Sequence, residues 1–209
     1  MPYSKPTYSE IVYLFADRFT NKRSLIVHYD KHPSGEKISL KSLSELMVFS
    51  AVIYLKENNL ITLSVKDVRK MLVLWSKDVF VLKNKEAPRE LTGIERKLLS
   101  KLSGEMRLQD LIYNLLNRNE TLHWTHFIDI SKNSLVEKGY LNVKEEKRFM
   151  HNIKDFSFGT DRLGALETEY SKVKNSLDAF ILNTEEYQLV TKRINSGIAL
   201  REYRDDYID

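Results

Sequence analysis

Cysteine does not occur in this chain, which excludes a disulfide framework, a cysteine nucleophile and every thiolate metal site. The absence of thiols fits a reducing compartment. The N-terminal stretch MPYSKPTYSEIVYLF has no basic start followed by an apolar run and a small-residue cleavage site, so it does not read as a secretory signal. The cytoplasm is the expected location. Long apolar runs are missing too: the longest, Leu46 to Leu55 (LMVFSAVIYL), is about half of the roughly 20 residues a membrane-spanning helix requires, and is expected to be a core helix. Glycine-rich phosphate loops, nucleophile elbows and dinucleotide fingerprints do not occur. Neither charge sign dominates. Thirty-three Lys and Arg against twenty-nine Asp and Glu give a net charge of +4, mixed along the chain. That balance allows a surface attracted to phosphates but lacks the basic blocks of a dedicated nucleic-acid binder.

What is present describes an architecture. A chain of 209 residues can bury a sizeable core without metal or disulfide staples, and one compact domain over 1–209, frayed over 1–7 and 201–209, is expected. Capping boxes, in which a Ser or Thr precedes an acid by three positions, suggest helix starts at Thr7 with Glu10, Ser42 with Glu45, Ser64 with Asp67 and Thr92 with Glu95. Leu25 to Val27 reads as a short strand, and Pro33, Ser34 and Gly35 as a turn. A helix over 42–58 is apolar on nearly every face, as expected of a rod that other helices surround. Asn58 and Asn59 can end it, and Leu60, Ile61 and Leu63 start a strand. A second copy of this device follows a helix at 122–138, where Gly139 supplies the cap and Tyr140, Leu141 and Val143 a brief strand. Further helices are expected near 66–76, 92–103, 107–117, 162–182 and 184–195, with an extended VFVL at 79–82 and a loop through FSFGTDRLG. The fold class is therefore mostly α: a compact helical domain with a central apolar helix, amphipathic helices around it and short winged-helix-like strands or hairpins.

Residues 115–148, LLNRNETLHWTHFIDISKNSLVEKGYLNVKEEKR, resemble the Golgi phosphoprotein 3 family, bacterial-type members included. A Leu-Leu tract, a loop before a Trp, an amphipathic helix and the run Leu135, Val136, Glu137, Lys138, Gly139 come in that family's order. SELMVFSAVIYLKENNLITL and NKEAPRELTGIERKLLSKL look like its central helix with the following strand and its Ala-Pro loop, and Asp17 and Lys22 sit at its first acidic and basic turn. The matches keep their order over roughly residues 8 to 160. The resemblance implies a helical, non-catalytic module without cofactors that binds phosphatidylinositol 4-phosphate and the short cytoplasmic tails of membrane enzymes. The family's phosphate pocket has no counterpart here: its Trp and Arg fall near Ser39 and Val48, and its two further Arg near Thr125 and Ile128, so no pocket residue carries over.

The candidate lipid- or phosphate-binding residues are Trp124, Lys138, Lys144, Lys147 and Arg148, with Lys154 beside them. Glu137, Glu145 and Glu146 are interleaved, and an ordinary solvated face is the competing reading. Trp124 is either an exposed interface anchor or a side chain tucked under a neighbouring loop. Trp75, with Met71, Leu72 and Leu74, is expected to fill the core from an amphipathic helix. His123 and His126 could share a metal ion, as could His28, Asp30 and His32, but packing and solvated roles are the expectation and no metal site is assigned. The expected function is a binding or adaptor module whose partners are anionic lipid headgroups or cytoplasmic protein tails; a homo-oligomer is compatible with it. The alternative is a winged-helix nucleic-acid binder, weakened because the 122–138 helix lacks any Arg to read guanine.

Overall fold

The computed structural model describes all residues except 1–4, 21–27, 72–73, 117–122, 149–150, 160–162 and 206–209. The strand expected at Leu25 to Val27 lies outside the described residues. The chain is 58% helical, with eight helices and small antiparallel sheets among the described residues. The helices are α1 (Tyr8–Leu14), α2 (Ala16–Phe19), α3 (Leu40–Glu57), α4 (Gly93–Lys101), α5 (Leu108–Leu115), α6 (His123–Glu137), α7 (Glu167–Leu182) and α8 (Thr184–Asp205). The strands are β1 (Tyr29–Lys31), β2 (Lys37–Ser39), β3 (Ile61–Met71), β4 (Leu74–Lys83), β5 (Glu105–Arg107), β6 (Leu141–Arg148) and β7 (His151–Phe158).

Helix α3 packs against α1, α4, α6, α7 and α8, and Leu43, Met47, Val48, Phe49, Val52, Ile53 and Leu55 along it are all buried. A helix with neighbours on every side has no face to leave polar, which is why its apolar residues follow no stripe. It starts slightly earlier than the Ser42 box suggests. Ser39 is the N-cap, and its Oγ accepts from the Ser42 amide.

The helix-to-strand device occurs twice with the same hydrogen bonds. After α3, the Leu60 amide donates to Leu55 O and the Asn59 amide to Lys56 O; after α6, the Tyr140 amide donates to Leu135 O and the Gly139 amide to Val136 O. Asn59 (φ 53°) and Gly139 (φ 72°) occupy the left-handed position that this ending requires. Each device opens into an antiparallel hairpin. The base of each hairpin is closed the same way, Asn84 donating to Leu60 O and Gly159 to Tyr140 O.

The hairpins are longer than expected, and this is the main correction to the sequence reading. The stretch assigned to a helix near 66–76 is strand, paired from Ile61 with Lys83 to Met71 with Leu74, and the Ser64–Asp67 box lies inside β3. Val65, Val68, Leu72 and Trp75 carry helical spacing in sequence. However, the ladder that pairs Thr62 to Val65 with VFVL at 79–82 continues outward, and this stretch doubles back on itself, Val68 opposite Ser76 and Arg69 opposite Trp75, so strand pairing wins over local propensity. Likewise FSF belongs to β7, paired from Leu141 with Phe158 to Arg148 with His151. At the C-terminus α8 runs to Asp205 and Arg201 is buried, so residues 201–205, expected to fray, are helical.

Candidate functional site

Three features stand apart from ordinary packing: a hairpin arm carrying an exposed tryptophan, and two internal clusters of charged groups.

The arm is the outer part of β3–β4. Its inner part is fastened down. Val79 and Val81 are buried. Asp78, also buried, forms an ion pair with Arg193 of α8, Nε lying 2.7 Å from Oδ1, while Arg193 Nη2 donates to Lys77 O at 2.6 Å. Lys66 Nζ pairs with Glu105 of β5 at 2.6 Å, and Lys77 pairs with Glu185 at the start of α8. Beyond this clamp the ladder continues with Asp67 opposite Lys77, Val68 opposite Ser76 and Arg69 opposite Trp75. No described side chain of this outer part is buried, and Trp75 is 67% exposed. Trp75 was expected in the core of a helix; as a strand residue beyond the last covered position, it faces outward. Close by, Val65 is half exposed and Leu182, at the end of α7, is 83% exposed. A cleft of about 260 Å³ lies between Val65 and Lys77 on one side and Asn183, Glu185, Glu186 and Leu189 on the other.

The first internal cluster joins the starts of α1 and α4 to the end of α6. Helix α1 opens with the box read from sequence, whereas Thr92 makes no side-chain cap for α4, and the hydroxyl of each start also reaches the acid of the other. Thr92 Oγ1 donates to Glu10 Oε1 at 3.1 Å, and Thr7 Oγ1 donates to Glu95 Oε2 at 3.0 Å. Glu10 also accepts from the Thr7 amide (2.7 Å), Ser134 Oγ (2.5 Å) and Lys138 Nζ (2.6 Å). Glu95 accepts from the Ser9 amide (2.9 Å) and Ser9 Oγ (2.7 Å). Both acids are fully buried. Burial first, and then the charge of Glu10, push the Glu95 carboxyl up to about 7. Thr7 and Tyr54 also line a surface cleft of about 320 Å³ with Lys5, Pro88, Glu90 and Leu91.

In the second cluster Lys132 Nζ donates to Asp30 Oδ1 at 2.5 Å, and Tyr13 OH to Asp30 Oδ2 at 3.3 Å. His32 bridges Tyr13 O and Ser34 Oγ, each at 2.8 Å. Asp30 and His32 are thereby held by protein groups, while His28 is exposed. Among the described residues no cluster of His, Asp and Glu has the makings of a metal site.

Of the five candidate residues, Trp124, Lys138 and Lys144 have described side chains, and Lys138 does not lie at the surface. Lys138 is internal, with its amine on Glu10 and on Lys5 O, because the helix-ending turn points it at the start of α1. Lys144 is exposed on β6, and Lys154 pairs with Glu145 at 3.2 Å across the hairpin. Lys147 and Arg148 continue β6, and their side chains lie outside the described residues. Trp124 is half-buried: its carbonyl accepts from Ser44 Oγ at 2.6 Å and Lys41 Nζ sits 5.7 Å from its ring. His123 is buried, and His126 packs edge-on to Phe127. Sequence reasoning found both boxes that build the acid cluster, since Thr and Glu at that spacing are a local signal. It missed that each acid also takes a hydroxyl from the start of the other helix.

Fold and site together describe a helical domain with projecting antiparallel hairpins. No described helix is long and apolar enough to cross a membrane. A scan against family models matched none, and searches of curated proteins and of solved structures found no match.

Proposed function

We propose that this protein is a non-catalytic binding module that docks peripherally on anionic bilayer surfaces. The helical scaffold around α3 holds out the β3–β4 arm that makes the contact. The observation that carries this reading is Trp75, two-thirds exposed beyond the clamp made by Asp78 and Arg193. Residues 68–75, VRKMLVLW, combine four aliphatic side chains, a Met and a Trp with two cations and no acid. That composition suits the headgroup boundary, where an indole places its apolar body in hydrocarbon and its N–H in the wet layer. Each cation there contributes about 1 kcal/mol on an anionic leaflet. The resemblance to the Golgi phosphoprotein 3 family points the same way, toward a peripheral, cytoplasmic membrane partner, although the pocket for its phosphoinositide is missing.

The buried acids support a non-catalytic role: Glu10 and Glu95 are wholly engaged by protein donors and fully covered, so a substrate has no access to them. The winged-helix reading gains from the order α4, β5, α5, α6 and the β6–β7 hairpin. Charge opposes it: Lys132 and Lys138 of the would-be recognition segment both point inward, leaving Asp129, Asn133 and Glu137 as its exposed residues.

Flotation with vesicles of phosphatidylcholine alone and of phosphatidylcholine with phosphatidylserine tests the proposal. Recovery with the anionic vesicles only, falling as salt is added, is expected. The tryptophan emission of the bound protein should move to shorter wavelength, and Trp75→Ser should abolish both the shift and most of the recovery. Recovery unaffected by Trp75→Ser would remove the arm as the contact, equal recovery on both vesicle types would remove lipid charge as the attraction, and no recovery would leave the protein-tail reading.

A further inference from the structure

The exchanged capping boxes contain a charge imbalance that packing alone does not require. One ammonium, Lys138, stands against two fully buried carboxylates. With both acids ionised, the junction of α1 and α4 holds a negative charge that no described residue counters, buried in the interior, which is strongly unfavourable. A single proton removes it. The surroundings accept that proton without rearrangement, because Thr7 Oγ1 and Ser9 Oγ, the hydroxyls on Glu95 Oε2, also lie 3.4 Å from each other. When Glu95 is ionised both hydroxyls donate to it. When it is protonated it donates to one of them, and that hydroxyl turns to its neighbour. Hydroxyl hydrogens rotate freely between such arrangements.

We propose that Glu95 is a proton-controlled latch: protonated, it locks the first turn of α1 to α4, and loss of the proton sets a second buried charge beside Glu10 and loosens that junction. The groups around it fit the role. From α1 it faces Glu10, from α3 the phenol of Tyr54, and from α6, through Glu10, Lys138. Helix α5 meets α4 through apolar Leu108 and Leu111 against Leu98 and Leu102, which offer no second counter-charge. The raised position of the Glu95 carboxyl, about 7, places the transition below and around neutrality, with the latch tighter on the acidic side. What loosens first is the wall that Thr7 forms for the cleft with Lys5, Tyr54, Pro88, Glu90 and Leu91, so that cleft is wider at neutral pH than at pH 5.

The Ser9 amide is one of the latch bonds and serves as its reporter. Hydrogen exchange of the full-length protein is compared at pH 5 and pH 8, after correction for intrinsic rates. Protection of Ser9, Glu10 and Ile11 is expected to fall roughly 50- to 100-fold, the ratio that follows when a carboxyl returns from about 7 to its ordinary 4.5 on opening. Leu111 and Ile112 of α5 should not follow that change. In Glu95→Gln the dependence should vanish. Carboxyl ¹³C NMR of the unsubstituted protein reads the same group directly, without relying on a variant that folds. A Glu95 carboxyl titrating in the ordinary carboxylate range, or a pH dependence of Ser9 that survives Glu95→Gln, would overturn the latch.

Discussion

At Gly93 the backbone takes φ 66°, and a methyl group there would lie 3.2 Å from Glu10 Oε1 and 3.3 Å from Glu95 Oε2. Both effects oppose a side chain: the left-handed backbone disfavours one, and the oxygens it would press are fixed by hydrogen bonds. Gly93→Ala is expected to cost about 1–3 kcal/mol in urea unfolding. Lys138 makes the complementary case. Its amine is the one cation on Glu10 among the described residues, both partners being buried, so Lys138→Met leaves that carboxylate uncompensated. A loss of about 3–5 kcal/mol is expected, read from the urea midpoint, and adding Glu10→Gln should recover part of it. A surface-lysine role would instead leave stability almost unchanged on Lys138→Met. Neither residue announces this in sequence. Lys138 sits among lysines and glutamates that look like one solvated stretch, and a backbone turn decides which of them points inward.

At the scale of elements, α8 lies on α5 because Gly197 lets it. A methyl group at Gly197 would come within 2.5 Å of Gln109 O and 2.8 Å of Ile112 Cβ. Neither a backbone carbonyl nor a packed Cβ can yield without separating the helices. Gly197→Ala should improve helix propensity by up to about 1 kcal/mol and yet lower the melting temperature, since overpacking costs about 1–3 kcal/mol or more. A rise in melting temperature would mean that α8 is not seated as described. The hairpins show how far local signals reach. Asn59 and Gly139 marked both turns out of α3 and α6, and those endings are legible because left-handed residues are few in kind. The run from Val65 to Trp75 was not legible as strand: no Gly, Pro, Asn or Asp occurs between Met71 and Leu74, so the hairpin signal was missing while a helical spacing was present. With that went the position of Trp75, the residue on which the proposed contact depends.

For the molecule as a whole, two internal groups pull stability in opposite directions with pH. Glu95 is raised in the folded state, so it contributes most below its ordinary 4.5, and that contribution is lost as pH climbs toward about 7. The amount is on the order of a few kcal/mol. Burial lowers His32 below its ordinary 6.5, so the unfolded chain takes up that proton first and stability falls as pH drops through this range. Between pH 4.5 and pH 8 the two groups therefore act with opposite signs on the urea midpoints of the native chain. In Glu95→Gln those midpoints should rise steadily toward neutrality, because the opposing group is gone. Parallel curves for the two proteins would show that Glu95 does not titrate in this window.

What the amino-acid order determined alone is whatever depends on neighbours a few positions apart: a mostly helical chain, the apolar rod at its centre, the Thr-x-x-Glu starts of α1 and α4, and the left-handed exits of α3 and α6. Capping and left-handed turns are decided within one turn of backbone, so they survive without the rest of the molecule. That Val65 to Trp75 would double back as a hairpin, which lysines would turn inward, and the crossing of Glu10 and Glu95 between two helix starts were decided only by tertiary structure. The lysines and acids depend on partners far along the chain and the hairpin on continuing a ladder begun nearer the core, and a buried charge or a free backbone edge takes whatever partner the packed chain brings within reach.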